Sequence, residues 1–251
     1  MTTNGRHISW YADPALGAAL LTLALVFGMP LLRPVFAGAF PELDRPIYVG
    51  DPFWLLLLSH LGLVAASSVA AGVVGIGAGI LVTRKAGRSF RGTIETLAAM
   101  GQTFPPVAVL AVAVPLIGFG AWPAFIALAL YGLLPIIENT VSGLEQVPAA
   151  VREAAASSGM TATQVLRDVE LPIAAPIILT GVRISVTINI GTAALASTVG
   201  AKSLGLPLIV GLNSDNIAYV IQGALLVGAL AITVDLAFGR ALRYVQRWKV
   251  A

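Results

Sequence analysis

Six stretches of this sequence are apolar for long enough to cross a lipid bilayer, and no other feature constrains the fold as strongly. A helical span needs about 20 residues at 1.5 Å rise to cover about 30 Å of hydrocarbon. Charged residues make up only 11% of the chain, against about a quarter in soluble domains. Hydrophobic residues make up 57% and fall in long blocks. Backbone polar groups at membrane depth must be satisfied within the protein. The expectation is an all-α membrane protein of about six transmembrane helices.

The spans are expected near Ala15–Leu32, Phe53–Val82, Thr93–Ile117, Trp122–Ile137, Ile173–Leu195 and Ile217–Phe238. The first follows Arg6 and His7 but is longer than a usual signal core, so it is read as a retained span. The third is interrupted by Gln102 and the Pro105-Pro106 pair. With the N-terminus inside, the cytoplasmic segments hold Arg6, Arg84, Lys85, Arg88, Arg91, Arg152, Arg167, Arg240, Arg243, Arg247 and Lys249. The outer segments hold only Arg33, Arg45 and Lys202. This positive-inside pattern puts both termini in the cytoplasm. Trp54 and Trp122 then fall at outer ends of spans and Trp10 and Trp248 near inner ends, as an aromatic belt.

The chain divides into residues 1–52 (tail, first span and a proline-rich outer loop), a core of residues 53–240, and a C-terminal tail, 241–251. There is no cysteine, and His7 and His60 are the only histidines, so no thiolate or metal chemistry is expected. The net charge of +3 sits mainly beside apolar blocks, which suits a lipid boundary and not nucleic acid. No G-x-x-x-x-G-K-[ST] pattern occurs, so nucleotide hydrolysis would need another chain.

Residues 139–172, between the fourth and fifth spans, are patterned as two short helices. Val147, Ala150, Val151, Ala154 and Ala155 share a face, Pro148 suits a first helical position, and Gly159 suits a left-handed cap. Thr161 and Gln164 make a capping box for a second helix with Val165, Leu166 and Val169, ended by Leu171-Pro172. Helices this short are marginal alone, so they dock either on the chain's own inner surface or on a partner.

Glu153-Ala154-Ala155-Ala156-Ser157-Ser158-Gly159, followed by Glu170-Leu171-Pro172, resembles the Glu-Ala-Ala loop of ABC importer permeases. Gln102-Thr103-Phe104-Pro105-Pro106, Gly118-Phe119-Gly120-Ala121-Trp122-Pro123, Tyr131-Gly132-Leu133-Leu134-Pro135, Gly181-Val182-Arg183 and Asn189-Ile190-Gly191-Thr192-Ala193 are similar to the osmoprotectant branch. The resemblance spans roughly residues 50–240. It implies a type I ABC importer permease fold with a cytoplasmic coupling-helix loop, in a bacterial cytoplasmic (inner) membrane. It further implies an ATP-binding subunit carrying ATP and Mg, a second permease subunit, the same chain or a similar one, and an external substrate-binding protein. The cargo it implies is a compatible solute: glycine betaine, choline, carnitine or proline. Gly200-Ala201-Lys202-Ser203-Leu204-Gly205 departs from the glycine-rich run of many relatives, which bears on the outer loop and the cargo.

Irregular backbone at depth marks either a gate or a fixed kink, and Pro105, Pro106, Pro115, Asn189 and Gly191 are the candidates. Ser68, Gly72, Gly75 and Gly79 form a small-residue face on the second span, suited to close helix packing. Glu95, Glu138, Arg183 and Asp235 are charges near the bilayer. Arg183 is the deepest and needs Glu138 or Asp235 as partner, in a structural pair or a substrate contact. His60 suits a packing residue better than a proton relay. Phe104, Phe119, Phe125, Tyr131 and Tyr219 are too scattered for an aromatic cage, so no substrate-binding residue is assigned. An ion-coupled transporter or channel is the alternative, but mid-span carboxylate pairs and inverted repeats are not evident. An intramembrane enzyme would need a catalytic constellation that the sequence lacks.

Overall fold

The computed structural model describes residues 13–246; Arg6, His7, Trp10, Arg247, Trp248 and Lys249 lie outside the described residues. Apolarity sets the helix lengths and local chemistry sets their ends. Helix α1 (Pro14–Gly28) starts where Asp13 accepts from the Ala15 N–H, and a 3-10 turn joins it to α2 (Arg33–Ala39). Helix α3 (Phe53–Thr83) follows the loop of residues 40–52, and α4 (Arg91–Thr103), α5 (Pro106–Ile117) and α6 (Ala121–Glu145) complete the first half. The short α7 (Ala149–Ser157) and the single turn α8 (Ala162–Gln164) lead through a π-helical segment, Val165–Glu170, into α9 (Leu171–Thr192). A 3-10 stretch, Ala193–Val199, and α10 (Leu206–Asn213) precede α11 (Ile217–Val245), which Asn216 caps by accepting from the Tyr219 N–H.

Among the described residues, five helical stretches are long and apolar enough to span a membrane, and six if the bent pair α4–α5 counts as one span. That pair corrects the third expected span, because its two halves meet at 94°. The cause is local. Pro105 drives Phe104 out of the helical region (ψ 133°), and Pro106 does the same to Pro105 (ψ 136°). Two extended residues then turn the chain.

Helices α3, α6 and α9 pack together at the centre, with α1 against α11 and α4 and α5 against α6. Glycines bring the central three close. A methyl group on Gly79 would come within 2.6 Å of Thr140 Cβ, one on Gly75 within 2.9 Å of Ile136 Cγ2, and one on Gly181 within 2.7 Å of the Pro135 carbonyl. Gly72 is not part of this face: open space lies beside it, and Ala71 makes the contact with Gly132 instead.

Polar side chains complete the core where backbone groups would be stranded. Pro135 has no N–H for the Tyr131 carbonyl one turn back, and Gln102 Nε2 donates to that carbonyl at 2.8 Å. His60, fully buried, accepts from the Leu204 N–H at Nδ1 (3.3 Å) and therefore donates from Nε2 to the Ile190 carbonyl (3.1 Å). Gln222, also fully buried, straps the loop of residues 40–52 to α11 through the Tyr48 N–H and the Pro46 carbonyl. Asp13 and Arg240 pair at one end of the bundle and Asp51 and Lys202 at the other. Arg84, Lys85, Arg88, Arg91, Arg152, Arg167, Arg240 and Arg243 lie in or beside the helix termini at the first of these, the basic end.

Candidate functional site

The chain leaves the bundle at the basic end of α6 and returns through α9. Helix α6 continues to Glu145, so the excursion expected over 139–172 is shorter, 146–161. Val147 is buried and anchors it, and Pro148, in extended conformation, is the residue before α7 and not its first. Helix α7 ends on Gly159 at φ +85°, where the Met160 N–H bonds the Ala155 carbonyl and the Gly159 N–H bonds the Ala156 carbonyl. This is a Schellman cap, which a left-handed glycine permits. The capping box follows: the Thr161 N–H donates to Gln164 Oε1 at 2.8 Å and the Gln164 N–H to Thr161 Oγ1 at 3.4 Å.

Leu171-Pro172 was expected to end the second short helix and does not. The chain is helical without interruption from Ala162 to Val199. Pro172 lacks an N–H and would crowd the carbonyl four residues back. The helix widens just before it, with the Leu171 N–H reaching Leu166, five residues back. Leu171 and Pro172 thus open α9 directly beneath the excursion.

None of the nine residues of α7 is buried. Glu153 and Ala154 are exposed and Ala155 half-buried, so the Glu-Ala-Ala face looks away from the bundle. Behind it lies a residue that the sequence offered only as part of the Glu170-Leu171-Pro172 motif, with no partner or role. Glu170, 2% exposed, pairs with Arg84 from the end of α3 at 2.7 Å and with Arg152 from α7 at 3.6 Å. Nearby, Arg91 pairs with both Glu95 and Glu145, tying α4 to α6. Arg84, Arg88, Arg91, Arg152 and Glu145 line a polar cavity of about 150 Å³. Its place directly before Leu171-Pro172 was the available signal for Glu170.

The other candidate residues lie deeper. Pro105 and Pro106 form the α4–α5 elbow, and Pro115 lies inside α5. Asn189 and Gly191 lie in unbroken α9, with the change to 3-10 geometry starting at Ala193, so the backbone is regular where irregularity was expected. Asn189 is fully buried and donates to Ser68 Oγ on α3 at 3.1 Å, while Gly191 is exposed. Pro106 and Thr192 line one small cavity, so the elbow and the end of α9 are neighbours. Arg183 forms a two-pronged pair with Asp235 of α11, both contacts at 2.6 Å. Glu138 is exposed and forms no ion pair among the described residues, which settles the partner choice left open by the sequence.

At the opposite end, Tyr48 packs against Phe53 and Tyr219, ring centroids 5.9 and 5.6 Å apart. All three are buried, so this is core packing and not an open cage. In the departing segment, Lys202 pairs with Asp51 at 2.6 Å, and buried Ser203 bonds Ser197 and the Gly205 N–H.

Residues 75–249 match the family described as binding-protein-dependent transport system inner membrane component. The osmoprotectant import permease protein OsmY of Salmonella typhimurium is 45% identical over 186 residues, covering 73% of this chain and 79% of that protein. The choline transport system permease protein OpuBB of Bacillus subtilis is 38% identical over 184 residues, 73% of this chain and 84% of that one. The fold is that of an inward-facing structure of the MetNI methionine ABC transporter, with a TM-score of 0.68 at 23% identity, covering 79% of this chain and 100% of the other.

Proposed function

We infer the working of this chain from the premise that it belongs to the binding-protein-dependent transport system inner membrane components. It is the multi-pass, membrane-spanning permease subunit of a binding-protein-dependent ABC importer. On our reading, the basic end of the bundle faces the cytoplasm of a bacterial cell, with both termini on that side. The residues Glu153, Ala154, Ala155 and Gly159 of the excursion, with Leu171 and Pro172 behind them, receive the ATPase. ATP and Mg are held and turned over on that separate ATP-binding subunit, not on this chain. Two permease subunits, identical or similar, form the membrane unit, and an external binding protein delivers the cargo. The cargo is a compatible solute such as glycine betaine, choline or carnitine, a reading supported by the resemblance to the osmoprotectant branch and by the names of the two relatives, an osmoprotectant and a choline permease.

The observation that carries the coupling assignment is that α7 has no buried residue although it is only nine residues long. An isolated helix of that length is marginal in water. Its apolar and small residues, Val151, Ala150 and Ala154, are exposed where a partner would cover them. A mild-detergent pull-down of the tagged chain from its own cells, assayed for ATP hydrolysis, tests this. Co-purification of an ATPase, lost with Gly159→Asp or Glu153→Lys, is the expected result. If the chain comes down without an ATPase in every detergent, the assignment fails and ion-coupled transport is the reading to test.

A further inference from the structure

We propose that Glu170 is the positioning residue that makes α7, α9 and the end of α3 move as one body when the ATPase displaces α7. The inference rests on the coupling reading above, and it names the linkage which that reading leaves unspecified. A carboxylate that is 2% exposed at the foot of a membrane helix is costly unless its charge is met. Here it is met by guanidinium groups from two other elements. Arg84 follows α3, whose last turn is fixed by the neighbouring helices, and holds Glu170 at 2.7 Å. Arg152 belongs to α7, directly before Glu153, and reaches the other carboxylate oxygen at 3.6 Å.

Two further features make this pair of contacts a linkage and not an ornament. Because α7 buries none of its residues, apolar packing alone gives it little grip on the bundle. What it does pack against is the π-helical segment that carries Glu170. That segment continues without a break into α9, so a displacement passed to Glu170 acts at the base of a rod running to Val199. The outcome of losing the carboxylate follows. Helix α7 would still dock, since its exposed face is unchanged, but it would shift against α9 instead of carrying α9 with it.

The chain has no cysteine, so a labelled pair can be introduced on an otherwise native background. Spin labels at Ala149→Cys on α7 and Ile188→Cys on α9 are separated by about 25 Å of α9 plus the excursion. Both positions are exposed and outside the residues assigned a role. The distance is read by double electron–electron resonance in the complex purified with its ATPase, diluted with unlabelled permease, without nucleotide and after ATP–vanadate trapping. In the otherwise native chain one distance is expected in both states. With Glu170→Gln it should shift or broaden on trapping by about 2 Å or more, the scale of helix displacements in switching proteins. ATPase co-purification and vanadate trapping should stay intact. Glu170→Asp should restore the single distance, and Arg152→Gln, which keeps the Arg84 contact and the fold, should reproduce the defect. A constant distance in Glu170→Gln and Arg152→Gln, or a changing one in the native chain, overturns the proposal. Loss of ATPase co-purification in those variants makes them docking residues and overturns it as well. Absence of an ATPase from the native complex refutes the functional reading instead.

Discussion

Gly181→Ala should destabilise the bundle although glycine is a poor helix residue, and two other glycines supply the control. Gly181 lies inside α9 where an added methyl carbon would sit 2.6 Å from Asn139 Cβ and 2.7 Å from the Pro135 carbonyl. Ordinary carbon contacts lie at about 3.5–4.0 Å, so α9 and α6 would have to part by roughly 1 Å. One of the obstructing atoms is backbone and cannot rotate away. Overpacking of this kind costs about 1–3 kcal/mol, against a gain of about 1 kcal/mol from replacing a mid-helix glycine by alanine. Gly77 in α3 and Gly228 in α11 are also inside helices but have open space beside them, so there only the gain applies. The difference between Gly181→Ala and either control isolates the steric part, about 1–3 kcal/mol. Reversible unfolding of the purified chain in mixed micelles measures it. If Gly181→Ala proves as stable as Gly77→Ala and Gly228→Ala, the claim that the central helices are held at glycine contact distance is wrong.

Gln102→Leu should cost about 1–3 kcal/mol by stranding the Tyr131 carbonyl, and adding Pro135→Ala, which returns an N–H to that carbonyl, should recover most of the loss in the same unfolding assay. His60→Leu removes an acceptor from the Leu204 N–H and a donor from the Ile190 carbonyl, both buried, and should lower stability by about 2 kcal/mol or more. Asp235→Leu leaves Arg183 unpaired at the bilayer and should lower membrane yield and stability, by about 1–3 kcal/mol given that both side chains are about one-third exposed. The double variant Arg183→Leu with Asp235→Leu should recover stability; if it is stable but fails to transport, the pair contacts the cargo path and is not merely structural.

The helices were legible because their cause is local: runs of about 20 apolar residues are the length of the bilayer. Gly159 and the Thr161–Gln164 box were legible for the same reason, since each cap is complete within six residues. What depended on a neighbour was not. On a 3.6-residue helix Ala71 and Gly72 both border the same stripe, and only the position of α6 decides that Ala71 touches Gly132. Arg183 had two carboxylates at similar depth, and only the placement of α11 beside α9 selects Asp235. Proline misled in one direction and informed in another. At Pro105-Pro106 two successive prolines leave no helical alternative and the chain turns by 94°. At Pro172 one proline is absorbed by a single widened turn, and the helix goes on. The burial and pairing of Glu170 were not legible beside Arg167 and Asp168, because its partners come from α7 and from the end of α3.

A permease that transmits a push from one face to the other needs one part that does not yield and another that does, and the contact types separate the two. Helices α3, α6 and α9 meet through Gly75, Gly79, Gly132, Gly143 and Gly181, where backbones lie too close to slide without clashes between side chains and carbonyls. Their polar contact, Asn189 with Ser68, joins α9 to α3 at full burial, where a lost hydrogen bond cannot be replaced by water. Those three form the unyielding part, and Glu170 lies at their base. The α4–α5 elbow differs in kind. Its extended residues carry no helical hydrogen bond across the bend, and Phe104 at its apex is exposed. Movement there would cost rotation about a few backbone bonds and would leave the glycine contacts intact. Any rearrangement that opens a path should therefore spare the spacing of α3, α6 and α9 and alter the 94° angle.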